Sequence, residues 1–155
     1  MKTALITTTV NVPKVLQLYR ACSPSGKTRV VPEKVVPHGH DPNLYPWVDR
    51  EREVTSVRFF VTGDLKTSHE DVARLAVEIG NCEYYSPSDA RTAGYACSDL
   101  IGWNTIGRRN IALLEALKWG AEIIVTVDDD NFPMSTDYFD RFEAILSKPF
   151  SGLAV

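Results

Sequence analysis

The sequence predicts an α/β fold, a Rossmann-like arrangement in which a mostly parallel sheet carries helices on both faces. Apolar, β-branched runs alternate along the chain with segments whose apolar residues recur every three to four positions, as in amphipathic helices. Such alternation implies crossover connections, which make strands parallel and cover both faces of the sheet. The 155 residues are 44% hydrophobic, which suits one folded domain over residues 1–155 and excludes wholesale disorder.

The chain opens with a strand and a helix, and a proline-rich excursion follows them. Residues 3–10 are apolar and threonine-rich and predict a buried strand, and residues 14–22 predict a short helix that begins after Pro13. Residues 23–53 contain five prolines, which exclude a long helix or a central strand. We predict a long loop over 23–53 with one short extended piece near Val35.

A second strand and helix follow the excursion. Residues 57–62 predict a strand, and residues 69–79 predict a helix with one continuous apolar face. Ser68 and Asp71 have the spacing of a capping box at the start of this helix. Gly80 is the residue expected to end it.

The remaining elements complete the alternating pattern. Residues 82–85 predict a short strand, and residues 86–104 show no regular period. A helix is predicted over 106–119, a buried strand over 122–127 and a last helix over 137–147. The residues expected to face inward from the 106–119 helix are Ile106, Leu113, Leu114 and Leu117.

Ligands of parallel α/β sheets bind at the carboxyl ends of the strands. The chemistry is therefore expected at residues 7–11, 63–66, 86–89 and 128–131. The last of these segments is the most informative, because three consecutive aspartates follow an apolar strand. Three adjacent carboxylates repel one another unless a cation sits among them.

In an extended strand end, Asp128 and Asp130 point to the same side. Together they could hold a hard divalent cation, Mn²⁺ or Mg²⁺, and leave coordination positions for phosphate oxygens and water. The alternative is that the aspartates cap the loop ahead of a turn at Pro133.

Two arginines, Arg108 and Arg109, lie in the first turn of the helix that precedes this strand. Cations at a helix N-terminus oppose the helix dipole, so a compensating anion is expected there. A pyrophosphate would supply it, and so would an ion pair between Arg109 and the aspartates.

The strand that ends near residue 63 leads into Asp64 and Lys66. An acidic residue at this position can accept hydrogen bonds from a base or a ribose, as in dinucleotide-binding folds. Lys66 could meet phosphate or pair with Asp64. The alternative is that this segment is an ordinary strand-to-helix turn without a binding role.

Residues 107–131, GRRNIALLEALKWGAEIIVTVDDDN, resemble the core of GT-A-fold glycosyltransferases. The resemblance is closest to the STELLO-type group and the reversibly glycosylated polypeptides, which are UDP-arabinopyranose mutases. In those proteins a helix with the pattern RKNIGYLxAIxxGA leads into a strand that ends in Asp-Asp-Asp. The positions that fit are Arg109, Asn110, Ile111, Ala116, Gly120, Ala121 and residues 128–131.

Two further segments extend this resemblance to about residues 57–131, together with the opening strand. TGDLKT at 62–67 resembles the Gly-Asp-x-Lys-Thr that follows the second strand of the family. Tyr85 and Ser86, with Asp89, resemble the family's Tyr-Leu-Ser-x-Glu-Asp segment.

The resemblance implies a GT-A nucleotide-diphospho-sugar site with an Asp-x-Asp motif. Asp130 would hold Mn²⁺ or Mg²⁺, Asp128 would contact the metal or the ribose, and Arg109 would approach the diphosphate. Asp64 would contact the nucleobase. The other residues expected to line the nucleotide-sugar site are Thr8, Asn11, Lys66 and Asp129.

A metal-dependent glycosyltransferase, or its donor-binding part, is therefore the leading hypothesis, with a UDP-linked sugar as the favoured donor. The acceptor and the catalytic residues are unknown. The alternatives are a non-catalytic nucleotide-sugar-binding or assembly module, and a metal-dependent phosphatase of the dehalogenase type.

About 25 residues follow the aspartates, fewer than GT-A enzymes use for an acceptor subsite. We therefore expect the acceptor half to be missing or strongly shortened, and a second copy or another chain could supply it. The net charge of −3 argues against a nucleic-acid partner. No apolar run has the length of a membrane span, no signal peptide is recognisable, and three cysteines without a Cys-x-x-Cys favour a reduced, cytoplasmic setting.

Overall fold

A computed structural model of the protein describes residues 1–22, 30–35, 48–53, 56–146 and 148. The strands are β1 (Lys2–Thr9), β2 (Val30–Val35), β3 (Val48–Glu53), β4 (Ser56–Gly63), β5 (Cys82–Tyr85) and β6 (Ile123–Thr126). The helices are α1 (Leu16–Ala21), α2 (His69–Ile79), α3 (Ala90–Ala93), α4 (Ser98–Ile101), α5 (Arg109–Trp119) and α6 (Tyr138–Leu146). A 3₁₀ turn over Ile106–Arg108 leads into α5.

The centre of the molecule is a four-stranded sheet in the order β5-β4-β1-β6, and every neighbouring pair of its strands is parallel. The predicted α/β class and parallel sheet are thereby confirmed, and each predicted strand of this sheet lies within a residue or so of its observed bounds. Buried strands with apolar, β-branched sequences are what a sheet covered on both faces requires.

Helices cover both faces of the sheet. Side chains alternate along a strand, so Leu5 packs on one face of β1 and Ala4 and Ile6 on the other. The Leu5 face is covered by buried residues of α1, α2 and α6, and the opposite face by α5. The predicted apolar face of α2 is confirmed, and its buried residues are Val72, Leu75, Ala76 and Ile79.

The prediction for the inward face of α5 was wrong for Ile106 and Leu117, whereas Leu113 packs partly buried against the core. Ile106 and Leu117 are 64% and 53% exposed, and Leu113 and Leu114 are half-buried. The fully buried residues are Ile111, Ala112 and Ala116. The helix presents its small side chains to β1 and β4, and larger side chains on that face would hold it farther from the sheet.

The helix ends follow the sequence signals in part. Gly80 and Gly120 end α2 and α5 with φ of 85° and 86°, a conformation that glycine adopts without strain. Ser68 precedes α2 as predicted, but its hydroxyl bonds the Asp71 carboxylate at 2.6 Å and caps no backbone N–H. Among the described residues, neither backbone N–H bond of the expected capping box is therefore formed.

The excursion contains two strands where one extended piece was predicted. β2 and β3 pair antiparallel, from Val30 opposite Glu53 to Val35 opposite Val48. They form a separate two-stranded sheet, which agrees with the expectation that the prolines exclude a central strand. The rest of the excursion, residues 23–29 and 36–47, lies outside the described residues.

Residues 86–104 contain α3 and α4, which the sequence did not predict. Each is four residues long, too short to show an apolar repeat. Among the helices that the structure describes, none combines the length and the apolar sequence needed to cross a membrane.

Candidate functional site

The order of the strands places a crevice between β1 and β6. The chain runs from β1 to β4 and β5 on one side, and then returns to the other side of β1 as β6. This reversal is a topological switch point, where open α/β sheets bind ligands beyond the carboxyl ends of the strands. A cleft of about 520 Å³ lies at this edge of the sheet.

The cleft brings together every residue of the predicted site. Its predicted lining residues are Thr8, Asn11, Asp64, Lys66, Arg109, Asp128, Asp129 and Asp130. It is also lined by Thr9 and Val10, from the predicted segment 7–11. The lining residues that the sequence did not indicate are Asn104, Thr105 and Ile106. Residues 86–89, which follow β5, do not line it, because β5 lies beyond β4 at the far side of the sheet.

Arg109 and Asp128 form an ion pair across the β6 side of the cleft, from Nη2 to Oδ1. Arg109 is 16% exposed and Asp128 is 53% exposed. The sequence analysis predicted either a pyrophosphate or an aspartate as the partner of Arg109, and this ion pair is the second of these. The buried Nε of Arg109 has no hydrogen-bond partner among the described residues, so the guanidinium keeps donor capacity.

The three aspartates have different surroundings. Asp129 is half-buried and accepts a hydrogen bond of 2.6 Å from the Thr9 hydroxyl. This bond joins the end of β1 to the segment that follows β6. Asp128 and Asp130 are exposed. Asp130 makes no hydrogen bond or ion pair to any residue that the structure describes, so its carboxylate is available to a cation.

This donor set fits a divalent cation that a ligand helps to coordinate. Within the described ranges, no three or more His, Cys, Asp or Glu side chains cluster closely enough to enclose a metal. Mg²⁺ needs no such enclosure, since it is commonly bound by one or two carboxylates together with water and phosphate oxygens. Asp128 and Asp130, which both line the cleft, would be the two carboxylates of such a site.

Asp64, at the β4 side of the cleft, is 2% exposed and held by the backbone. Its Oδ1 accepts the Leu65 N–H at 2.7 Å, and its Oδ2 accepts the Thr105 N–H at 3.2 Å. Each carboxylate oxygen retains a second lone pair. Asp64 therefore has a structural role, which joins the loop after β4 to the loop before α5, and still faces the cleft.

Thr67 connects this loop to β1. Its hydroxyl accepts the Asp64 N–H at 2.7 Å and donates to the Thr9 carbonyl at 2.6 Å. The carboxyl ends of β1 and β4 are thus fixed to each other by hydrogen bonds.

Lys66 and Thr8 line the cleft from β4 and β1. Lys66 is exposed, and its ammonium makes no pair with Asp64 or with any other residue in the described part of the chain. Thr8 is half-buried, and its hydroxyl donates to the Thr62 carbonyl at 3.1 Å. Asn11 is exposed at the rim.

Arg108 turns away from the cleft and is fully buried. Its Nη1 donates to the carbonyl and the hydroxyl of Ser98 at 3.0 and 3.1 Å, and its Cζ lies 4.1 Å from the centre of the Trp103 ring. Burial lowers the pKa of Arg108, and Asp64 opposes that shift. An arginine nevertheless stays protonated in a protein, so this is a buried cation. Apart from the family resemblance, which matches Arg109 alone, nothing in the sequence distinguishes Arg108 from its neighbour.

Tyr84 supports the β4 side from below. Its hydroxyl lies 2.6 Å from Nδ1 of His69 and fills the space where a Cβ on Gly63 would lie. Burial raises the pKa of Tyr84 to about 12, so the hydroxyl is protonated at neutral pH.

The fold and the cleft define an α/β protein with a charged cleft at a switch point of a parallel sheet. Models of known protein families give no match to this chain, and neither do curated protein sequences. A function has to be inferred from the geometry of the cleft.

Proposed function

We propose that the chain binds a nucleoside-diphosphate sugar, UDP-linked, in this cleft, and that it is a metal-dependent glycosyltransferase or the donor-binding part of one. The observation that carries the proposal is the ion pair of Arg109 with Asp128 beside the unpartnered Asp130. It combines a cation for phosphate with carboxylates for a divalent metal at the place where such ligands bind.

The charges of the β6 side suit a diphosphate with a bound metal ion better than they suit the diphosphate alone or the metal ion alone. A metal on Asp128 and Asp130 would compete with Arg109 for the Asp128 carboxylate. The guanidinium would then be available to a phosphate oxygen. Arg109 also begins α5, where the helix N-terminus favours an anion.

The β4 side suits a nucleoside. β4 lies two strands from β6, and neighbouring strands are about 4.8 Å apart, so their ends are separated by roughly 10 Å. With a diphosphate at Arg109, a nucleoside would extend over β1 towards Asp64 and Lys66. Asp64 offers an acceptor held by backbone N–H groups, and Lys66 offers an exposed cation.

The roles in a transfer reaction follow from these positions. When bound, the metal would draw charge from the departing nucleoside diphosphate. Arg109 would neutralise further negative charge on the same leaving group as the glycosidic bond breaks. Asp129, held by Thr9, would fix the backbone that presents Asp128 and Asp130.

Calorimetric titration with UDP tests the donor site. We expect binding that strengthens with Mn²⁺ and that loses this dependence in Asp130→Asn. Asp140→Asn is the matched control, because Asp140 is an exposed aspartate on α6 outside the cleft and should leave binding unchanged. No binding of UDP, or the same response to Mn²⁺ in Asp130→Asn, would exclude the proposal.

Turnover separates an enzyme from a binding module. Release of UDP from a panel of UDP-sugars, abolished in Asp130→Asn, supports the transferase. Tight binding without release supports the non-catalytic module. Hydrolysis of a generic phosphate monoester would instead support the dehalogenase-type phosphatase. The structure fits that enzyme less well, because the Asp128 carboxylate would have to act as a free nucleophile and is paired with Arg109.

A further inference from the structure

Thr67 has a buried hydroxyl that bonds two different segments of the chain. The residue is 6% exposed. Its Oγ1 accepts the Asp64 N–H at 2.7 Å and donates its one proton to the Thr9 carbonyl at 2.6 Å. The Thr67 N–H also donates to the Asp64 carbonyl at 3.0 Å, so residues 64–67 close a tight turn. One side chain thus joins the first residue of this turn to the last residue of β1.

Asp64 lies just beyond the end of the sheet. The pairing of β1 with β4 ends at Thr9 opposite Gly63, the residue before Asp64. β1 itself is held from two sides, because it pairs with both β4 and β6. The Thr67 hydroxyl extends the connection between β1 and β4 by one residue, to Asp64. Loss of this hydroxyl should therefore release the backbone of Asp64 from β1 and leave β1 itself in place.

The turn that Thr67 closes carries the charged groups of the β4 side. Asp64 and Lys66 are two of its four residues, and both line the cleft. Thr67 does not line the cleft. Any effect of the Thr67 hydroxyl on a ligand therefore acts through the residues of the turn.

The β6 side does not depend on this hydroxyl in the same way. Arg109 begins α5, and the aspartates follow β6. The Thr9 hydroxyl, which bonds Asp129, is a different group from the Thr9 carbonyl that Thr67 bonds. The two sides of the cleft are thus positioned by separate contacts.

We infer that Thr67 is a positioning residue, whose hydroxyl holds Asp64 where the nucleoside part of the bound ligand meets it. The inference rests on the proposed nucleotide-sugar site and adds to it a residue that touches no ligand. It makes the affinity for the nucleoside part depend on the Thr67 hydroxyl. The affinity for the diphosphate part, at Arg109 and the aspartates, is independent of it.

The test compares UDP with inorganic pyrophosphate, each in the presence of Mn²⁺, by calorimetric titration of the whole chain. Thr67→Val removes the hydroxyl and keeps the shape of the side chain. We expect Thr67→Val to bind UDP about tenfold more weakly, the effect of one lost hydrogen bond, and to bind pyrophosphate unchanged. Thr67→Ser keeps the hydroxyl and should bind both ligands as the wild type does.

Three further variants control for folding and for the group that Thr67 positions. Thr62→Val is the matched control, because Thr62 is a fully buried threonine of β4 whose hydroxyl has no hydrogen-bond partner in the described part of the chain. It should leave both affinities unchanged. Thr67→Ala, which places no methyl group where the hydroxyl was, is measured beside Thr67→Val in case valine disturbs the turn. Asp64→Ala should show the same selective loss of affinity for UDP.

The outcomes distinguish this inference from the proposed function. Equal weakening of UDP and pyrophosphate in the Thr67 variants would show a general structural role and overturn the inference, as would unfolding of both Thr67→Val and Thr67→Ala. Unchanged affinity for UDP in Thr67→Val or Asp64→Ala, or a Thr67→Ser variant as weak as Thr67→Val, overturns it too. In all these cases the wild type still binds UDP, and the proposed function stands. If the wild type binds neither ligand, the proposed function fails and the inference fails with it.

Discussion

The two sides of the cleft hold their charged groups in opposite ways. On the β4 side, Asp64 is buried with a backbone N–H on each carboxylate oxygen, and the fully buried Arg108 is near enough to interact with it electrostatically. On the β6 side, Asp128 and Asp130 are exposed, and the contact of Asp128 with Arg109 is an ion pair that water can reach. We call these the buried side and the exposed side.

This difference separates stability from ligand exchange. Removing a buried charged group leaves its partners without hydrogen bonds, which is costly. Exposed ion pairs contribute little to folding and can be replaced by other ions. We therefore expect substitutions on the buried side to lower the free energy of unfolding, and those on the exposed side to affect mainly ligand affinity.

The largest effect is expected for Arg108→Ala. It removes a fully buried side chain, its bonds to Ser98 and its stacking on Trp103. We expect the free energy of unfolding to fall by about 3 kcal/mol, as for other large buried side chains cut to alanine. Urea denaturation measures this loss. Arg109→Ala is the neighbouring control and should lose less than about 1 kcal/mol; equal losses would contradict the comparison.

Asp64→Ala should follow, with a loss of about 2 kcal/mol, because it leaves the N–H groups of Leu65 and Thr105 without their acceptor. Asp130→Ala, on the exposed side, should change the free energy of unfolding by no more than about 0.5 kcal/mol. Denaturant titration of the two variants gives both values. A loss in Asp130→Ala as large as in Asp64→Ala would remove the distinction between the sides.

Tyr84 gives the buried side a dependence on alkaline pH. Its pKa is raised to about 12 by burial, so the folded state favours the protonated hydroxyl. This contribution to stability is complete below the ordinary tyrosine pKa of about 10, and it is lost as the pH rises through 12. Thermal unfolding between these pH values should show a smaller decline for Tyr84→Phe than for the wild type. Parallel declines would show that Tyr84 does not carry the effect.

The smallest effect is expected for the ion pair of the exposed side. A double-mutant cycle on Arg109 and Asp128 should give a coupling energy below about 1 kcal/mol, since Asp128 is 53% exposed. The coupling should shrink further in ~1 M salt, where the screening length is about 3 Å. A coupling energy that is large and insensitive to salt would show that this ion pair contributes to stability like the groups of the buried side, which contradicts the comparison.

Much of the fold could be predicted from sequence, because its elements have strong local signals. The apolar runs of β1, β4 and β6 and the apolar face of α2 lie where the patterns indicated. The predicted site residues meet in one cleft because carboxyl ends of parallel strands share an edge. This part of the prediction needed only the order of the elements.

The rest depends on contacts between distant segments. The burial of Arg108 is decided by Ser98 and Trp103, and nothing local separates it from Arg109. Packing against the sheet determines which face of α5 is buried, so the spacing of its leucines did not predict that face correctly. Asn104 lines the cleft with a positive φ, a conformation that asparagine tolerates but that an asparagine in a sequence does not predict.

The alanines of α5 set the dimensions of the cleft from behind. Ala112 and Ala116 are fully buried against the sheet, and the same helix begins with Arg109 at the cleft wall. The distance between the helix axis and the sheet thus fixes how far the guanidinium reaches towards β6. A change of one or two methyl groups at these alanines would therefore shift the start of α5 and change where the Arg109 guanidinium lies in the cleft.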